Sequence, residues 1–157
     1  MNKKEWLDYV YYFRGKQQCD YWVCGMKKIG DKTISTKWKK YSEVCFPLNP
    51  DEDWKIDWVN NRSILPNELV LDIEDKNQLP GIMEKLGKER KLKDYIIYDT
   101  GSRGYHIHIF SSKPISQISK QYLCKIFGTD VLKAGDKTMI ALENCLHWKS
   151  GGMKCRI

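Results

Sequence analysis

The sequence predicts an α+β protein, with a β-α-β-β-α-β unit over residues 66–157 and a small α/β addition over residues 1–65, together one compact domain. Three observations carry this. Glu68–Asp75 and Tyr105–Phe110 alternate between polar and apolar residues, the period of a half-buried strand. Pro80–Lys91 and Pro114–Phe127 carry apolar residues at helical spacing. Gly101 and Gly104 bracket Arg103 in a stretch that reads as a tight turn ahead of the second alternating run. A length of 157 residues suits a single domain.

Taken in order, Glu5–Phe13 is aromatic-rich and reads as a short helix ending near Gly15, although periodicity alone leaves a strand open. Tyr21–Met26 and Thr33–Trp38 are rich in β-formers and flank Gly30-Asp31-Lys32, which predicts a hairpin. Lys37, Lys39 and Lys40 around Trp38 form a basic-aromatic patch, read either as a binding surface or as a solvated strand edge. Pro47–Pro66 reads as a connector with a helical turn over Asp51–Trp58, whose acidic residues suit a helix N-terminus.

Glu68–Asp75 is the first strand of the regular part. Pro80–Lys91 follows as a helix, with Pro80 near its start, where a missing N–H costs little. Ile82, Met83, Leu86 and Leu92 are its expected buried side. Tyr95–Tyr98 and Tyr105–Phe110 are the second and third strands. In the second helix Ile115, Ile118, Tyr122, Leu123 and Ile126 are expected to share one buried face. Thr138–Glu143 is the fourth strand, which completes a ferredoxin-like or RNA-recognition-motif order.

A net charge of +7 favours an acidic partner, of which nucleic acid is the commonest, and six tryptophans and nine tyrosines add possible stacking surfaces. No apolar run reaches the roughly 20 residues of a membrane span, and Met1–Trp6 lacks the apolar core of a signal peptide. A soluble, cytoplasmic protein is therefore expected. The six cysteines form no Cys-x-x-Cys pair, so neither a disulfide nor a structural zinc is expected.

The element order brings the first and third strands side by side at the centre of the sheet. Asp72 and Glu74 are two residues apart and point to one face, as do His106 and His108. Two carboxylates and one or two imidazoles would converge there. Acids on a central strand are costly unless they meet cations or bases. The converging groups read as a site more readily than as a merely polar sheet face.

Leu69-Val70-Leu71-Asp72-Ile73-Glu74 resembles the first motif of the archaeo-eukaryotic primase superfamily, an apolar strand carrying Asp-x-Asp or Asp-x-Glu. Thr100-Gly101-Ser102-Arg103-Gly104-Tyr105-His106 resembles its second, a small-residue turn with Arg-Gly-x-His. Leu146-His147-Trp148-Lys149-Ser150-Gly151 looks like its Leu-His-x-Lys-Thr/Ser-Gly element. The three occur in family order within residues 66–157. The resemblance implies a DNA or RNA primase/polymerase, with catalytic and metal-binding roles for Asp72 and Glu74 and two bound Mg²⁺ or Mn²⁺ ions. It assigns Ser102, Arg103, His106, His147 and Lys149 to the incoming nucleoside triphosphate. A third acidic ligand is expected before the Leu-His-x-Lys element. Asp136 is the choice, with Asp130 and Glu143 as rivals. The partners implied are a single-stranded template or primer–template, nucleoside triphosphates and a larger accessory subunit, with no membrane. No zinc-binding insert separates the second and third motifs and no helical accessory domain follows Lys149. A minimal core, a fragment and a subunit all remain open.

Two other readings compete. His106-Ile107-His108 with Tyr122-Leu123-Cys124-Lys125 resembles rolling-circle replication initiators, in which paired histidines hold a metal and a tyrosine attacks DNA. A non-catalytic RNA-recognition-type module is the third reading. Its third strand would be aromatic-rich, whereas here the aromatics Tyr105 and Phe110 stand only at the ends.

Overall fold

The computed structural model describes residues 3–10, 14, 21–43, 58–135 and 137–157. The fold is α+β with antiparallel sheets. In order run α1 (Lys3–Tyr9), β1 (Trp22–Cys24), β2 (Met26–Ile29), β3 (Lys32–Ser35), β4 (Lys39–Lys40) and β5 (Asn61–Ser63). Then come β6 (Glu68–Ile73), α2 (Leu79–Lys88), β7 (Tyr95–Asp99), β8 (Tyr105–Phe110), α3 (Gln117–Phe127), β9 (Met139–Ala141) and β10 (Cys155–Arg156). No described helix is long and apolar enough to cross a membrane.

The principal sheet has the order β10-β7-β8-β6. β6 and β8 are adjacent, as the sequence suggests, with Asp72 opposite His106 and Val70 opposite His108, but β6 stands at the sheet edge rather than at its centre because β9 pairs elsewhere. The other face of these strands carries Leu69, Leu71, Ile73, Ile107 and Ile109. They form a core with Ile82 and Leu86 of α2, Cys124 and Phe127 of α3, and Ala134. Alternation thus sorts apolar residues toward the helices and titratable ones away from them.

α2 follows its expected pattern, with a proline in its first turn and Ile82 and Leu86 buried, and ends at Lys88. α3 is capped by Ser116, whose side chain accepts from the Ser119 N–H, and stops at Gly128 in the left-handed conformation (φ 70°). Its buried face is the expected one only in part, since Ile115 and Leu123 pack against the core as expected. Ile118, Tyr122 and Ile126 are exposed, and Lys120, Cys124 and Phe127 are buried instead. The Lys120 ammonium reaches the Leu65 carbonyl at 3.0 Å, which lets a lysine occupy the inner stripe.

The second sheet has the order β4-β1-β5-β9. Its β5 lies inside the stretch expected to be a connector. The fourth strand of the expected unit, β9, pairs with β5 rather than with β6. The two sequence segments therefore share this sheet. The expected hairpin also divides differently. Tyr21–Met26 breaks at Gly25, where a Cβ would lie 2.3 Å from the Trp58 carbonyl oxygen. β1 joins the second sheet, while β2 and β3 form a separate hairpin through Gly30-Asp31. Trp38 lies between β3 and β4 rather than on a strand. Residues 51–57 of the helical turn expected over Asp51–Trp58, the helix end expected near Gly15, Cys19 and Cys45 lie outside the described residues.

The second sheet covers part of the titratable face of the first. Val70 packs with Ile64 and Ile140 across the gap. Beside them, Arg62 of β5 bonds Glu68 at 2.7 and 2.8 Å and Glu143 at 2.6 and 3.1 Å. His108 shares Glu68 through Nδ1 at 2.6 Å. Lys154 donates to His108 Nε2 at 3.2 Å and to the Ala141 carbonyl at 2.8 Å. All five side chains are buried, and the two cations balance the two carboxylates.

Their electrostatics follow from this geometry. Burial opposes ionisation of Glu68 and Glu143, but Arg62 prevails and holds both well below the usual carboxylate range. Burial, reinforced by Lys154, pushes His108 below its ordinary value. On acidification from about pH 7, the unfolded chain takes up the histidine proton first, so stability falls below about pH 6.5. Below about pH 4.5 the unfolded carboxylates protonate while the folded ones resist, and the loss steepens. Urea unfolding at about pH 8, 6.5 and 5 should give progressively lower midpoints. A midpoint constant over this range would contradict the arrangement.

Candidate active site

Where the two sheets diverge beyond this network, a cavity of about 490 Å³ opens. Asp72 of β6 and His106 of β8 face it from the principal sheet, and Asn61 and Met139–Ala141 from the second. Glu74, just past the end of β6, lies at the same opening, so both acids of the first motif reach the cavity. Ser102, Arg103 and His147 also line it.

These residues meet because two turns are docked backbone to backbone. The Thr100–Gly104 turn is closed by hydrogen bonds of the Thr100 N–H and hydroxyl to the Gly104 carbonyl, at 3.0 Å each. Gly104 lies against the end of β6, and a Cβ there would sit 1.7 Å from the Ile73 carbonyl oxygen. Gly101 has a φ of 69° and abuts Gly152, whose Cβ would lie 1.9 Å from the Gly101 oxygen. The Ser150 hydroxyl donates to that same carbonyl at 2.6 Å. The second and third motifs, some fifty residues apart, are joined by glycine contacts that no larger residue fits.

The imidazole–carboxylate pair has defined states. His106 Nε2 lies 3.4 Å from Asp72 Oδ1, and Lys133 Nζ lies 3.6 Å from Oδ2. Burial opposes the Asp72 charge, but His106 and Lys133 hold its carboxyl below the usual value. Burial, then Lys154, pushes His106 down to about 3 against the pull of Asp72, so the ring is neutral near pH 7. Among the described residues its buried Nδ1 has no hydrogen-bond partner. His147 Nδ1 accepts the Lys149 and Ser150 N–H groups at 3.3 Å each, which puts the proton of the neutral ring on Nε2. Burial and three lysines lower its pKa.

Asp72, Glu74, Ser102, Arg103, His106 and His147 thus meet around one cavity. The Lys149 side chain is exposed and does not line it. Asp136 lies outside the described residues. Of its rivals, Asp130 caps a helical turn by accepting from the Leu132 N–H, and Glu143 is bound to Arg62. Sequence reasoning missed Lys133, Trp38 and Trp148 at the cavity wall. Lys133 stands on a turn whose spacing carries no motif. The basic-aromatic reading of Trp38 came nearest to finding its place.

A second group, Glu68, His108 and Glu143, has the spacing of metal ligands. It does not suit an ion, because Arg62 and Lys154 already neutralise it and both His108 nitrogens are engaged. The same fact weighs against paired His106 and His108 as metal ligands. Tyr122 stands 64% exposed on a helix that packs against the opposite face of the principal sheet.

No family model matches the chain, and no curated protein matches it.

Proposed function

We propose that this cavity is a nucleotidyl-transfer site and that the protein is a metal-dependent primase/polymerase-type enzyme acting on a template. One observation carries the reading: three separate chain segments bring two acids, an arginine turn and a proton-donating histidine around a single cavity large enough for a nucleotide. β6, α2, β7, β8 and α3 would form the ferredoxin-like catalytic unit, with β9 as its fourth strand carried over to the second sheet.

Nucleotidyl transfer forms a bond from a primer 3′-oxygen to the α-phosphorus and releases pyrophosphate. Asp72 and Glu74 fit a divalent ion, since Asp72 is kept ionised and both carboxylates reach the same cavity opening. Bound Mg²⁺ or Mn²⁺ would lower the hydroxyl pKa and neutralise charge developing on the phosphate. Arg103 supplies a fixed fork of donors for phosphate oxygens. His147 offers its Nε2–H to the same group. His106 is neutral, so it orients Asp72 and acts by hydrogen bonding rather than as a cation. Lys133 competes for Asp72 and would turn to the phosphates once that carboxylate holds an ion.

This assignment separates two residues that the motif treats alike. Arg103→Ala should weaken nucleotide binding by roughly 1.5–3 kcal/mol, the loss of a charge-assisted bond. Lys149→Ala, whose side chain does not line the cavity, should cost less than about 1 kcal/mol. Calorimetric titration with a nucleoside triphosphate and Mg²⁺ measures both. Equal losses would contradict the geometry. The reading as a whole is tested by incorporation of labelled nucleotides on a single-stranded template with Mg²⁺ or Mn²⁺, with and without a primer. Metal-dependent product is expected, and its absence under all conditions would overturn the proposal.

A further inference from the structure

Of the β2–β3 hairpin only Met26 lines the cavity, and the rest of the hairpin stands beyond its edge. Its register places Lys27 opposite Ile34 and Ile29 opposite Lys32. These four side chains share one face, alternating basic and apolar. Ile29 is 54% exposed and Ile34 52%, unusual for isoleucines on a two-stranded ribbon without a purpose for that face. Lys27, Lys28 and Lys32 make no ion pair or side-chain hydrogen bond among the described residues. Residues 26–40 hold six lysines (27, 28, 32, 37, 39 and 40) against one acid, Asp31, a net charge of +5.

Below this face lies a second groove of about 430 Å³, lined by Lys27, Ile34, Thr36, Trp58 and Asn60. Trp58 is 46% exposed. Met26 lines both this groove and the catalytic cavity, so the two are adjoining. The groove is fixed rather than adaptable on its inner side. The Asn60 side chain accepts from the Met26 N–H at 2.8 Å and donates to the Met26 carbonyl at 2.7 Å, and Gly25 packs against the Trp58 backbone.

We infer that the groove between the β2–β3 hairpin and Trp58 binds a single-stranded nucleic acid, with a base against Trp58 and Ile34 and the backbone phosphates along Lys27 and Lys32. The charge selects a polyanion. The exposed indole and isoleucines select one with unpaired bases, because a duplex keeps its base faces stacked away from such a surface. Continuity with the cavity makes this strand the template that leads into it. That last step rests on the proposed nucleotidyl-transfer reading, whereas the strand-binding site itself does not.

The test is fluorescence anisotropy of a labelled twelve-nucleotide oligothymidylate with the full chain, over a series of salt concentrations. The double variant Lys27→Glu/Lys32→Glu changes two exposed side chains and should melt as the wild type does. It should bind the oligonucleotide at least about tenfold more weakly, with a log–log salt slope shallower by about 1.4. Trp58→Leu should weaken binding about tenfold with the slope unchanged, the signature of lost stacking rather than lost charge. Nucleoside triphosphate affinity should be unaltered in both. Unchanged oligonucleotide binding by the lysine variant would overturn the inference, and so would a duplex bound as tightly as the single strand. Hairpin-dependent binding without nucleotide incorporation would sink only the enzyme reading. Incorporation and strand binding both indifferent to the lysine variant would sink only this one.

Discussion

Arg62→Met is expected to destabilise the protein by about 3–5 kcal/mol, the range for removing one partner of a buried ionic group. The guanidinium is 1% exposed and bonds two carboxylates that are themselves buried. Without it, Glu68 and Glu143 face each other with only the neutral His108 and Lys154 beside them among the described ionisable groups, and one must take up a proton or draw in water. Methionine keeps much of the volume, so the loss reads the charge and not a cavity. Arg62→Lys should rescue little, because an ammonium cannot span both carboxylates in the forked geometry seen here. A domain has only about 5–15 kcal/mol in total, so the methionine variant would be marginally folded or unfolded. Urea unfolding near neutral pH measures the difference. A loss below about 1 kcal/mol would mean that the network is not what holds the two sheets together.

The sequence exposed the principal sheet well, for a physical reason. β8 is central and β6 lies beside it at the sheet edge, and one face of both is covered by the helices, so their period-two pattern reports directly which residues face them. The same pattern sets Asp72 opposite His106, and the glycine turn supplied Arg103. α3 was legible as a helix but not in its orientation. It carries two stripes at helical spacing, and the one with Ile118, Tyr122 and Ile126 is the more apolar. The true inner stripe includes Lys120, whose stem is buried while its ammonium finds a carbonyl. β5 was illegible because Asn61-Arg62-Ser63 is a polar tripeptide. It is buried only because its partners, Glu68 and Glu143, arrive from elsewhere in the chain. Lys154 was missed in the same way, since nothing local distinguishes a lysine that will be enclosed. Pairing of β9 with β5 instead of β6 is likewise a tertiary choice that element order does not encode.

Asp72→Ala carries the second large effect, and its physical basis differs from that of Arg62. Asp72 faces the cavity, and among the described residues its carboxylate is paired with His106 and Lys133. Its removal leaves a largely buried neutral imidazole and a lysine whose side chain is 22% exposed, both at a cavity where water can take the place of the carboxylate. Folding should therefore survive with a melting temperature close to that of the wild type. Catalysis should not, because ion binding and transition-state charge stabilisation together supply several kcal/mol, roughly a thousandfold or more in rate.

The most direct measurement of the central claim is the rate of template-directed nucleotide incorporation by wild type and Asp72→Ala at matched Mg²⁺ or Mn²⁺. Circular dichroism melts on the same samples verify that both are folded. The account predicts metal-dependent incorporation by the wild type and a loss of about a thousandfold or more in a folded variant. Full activity in a folded Asp72→Ala protein, or wild-type incorporation indifferent to metal, would contradict it.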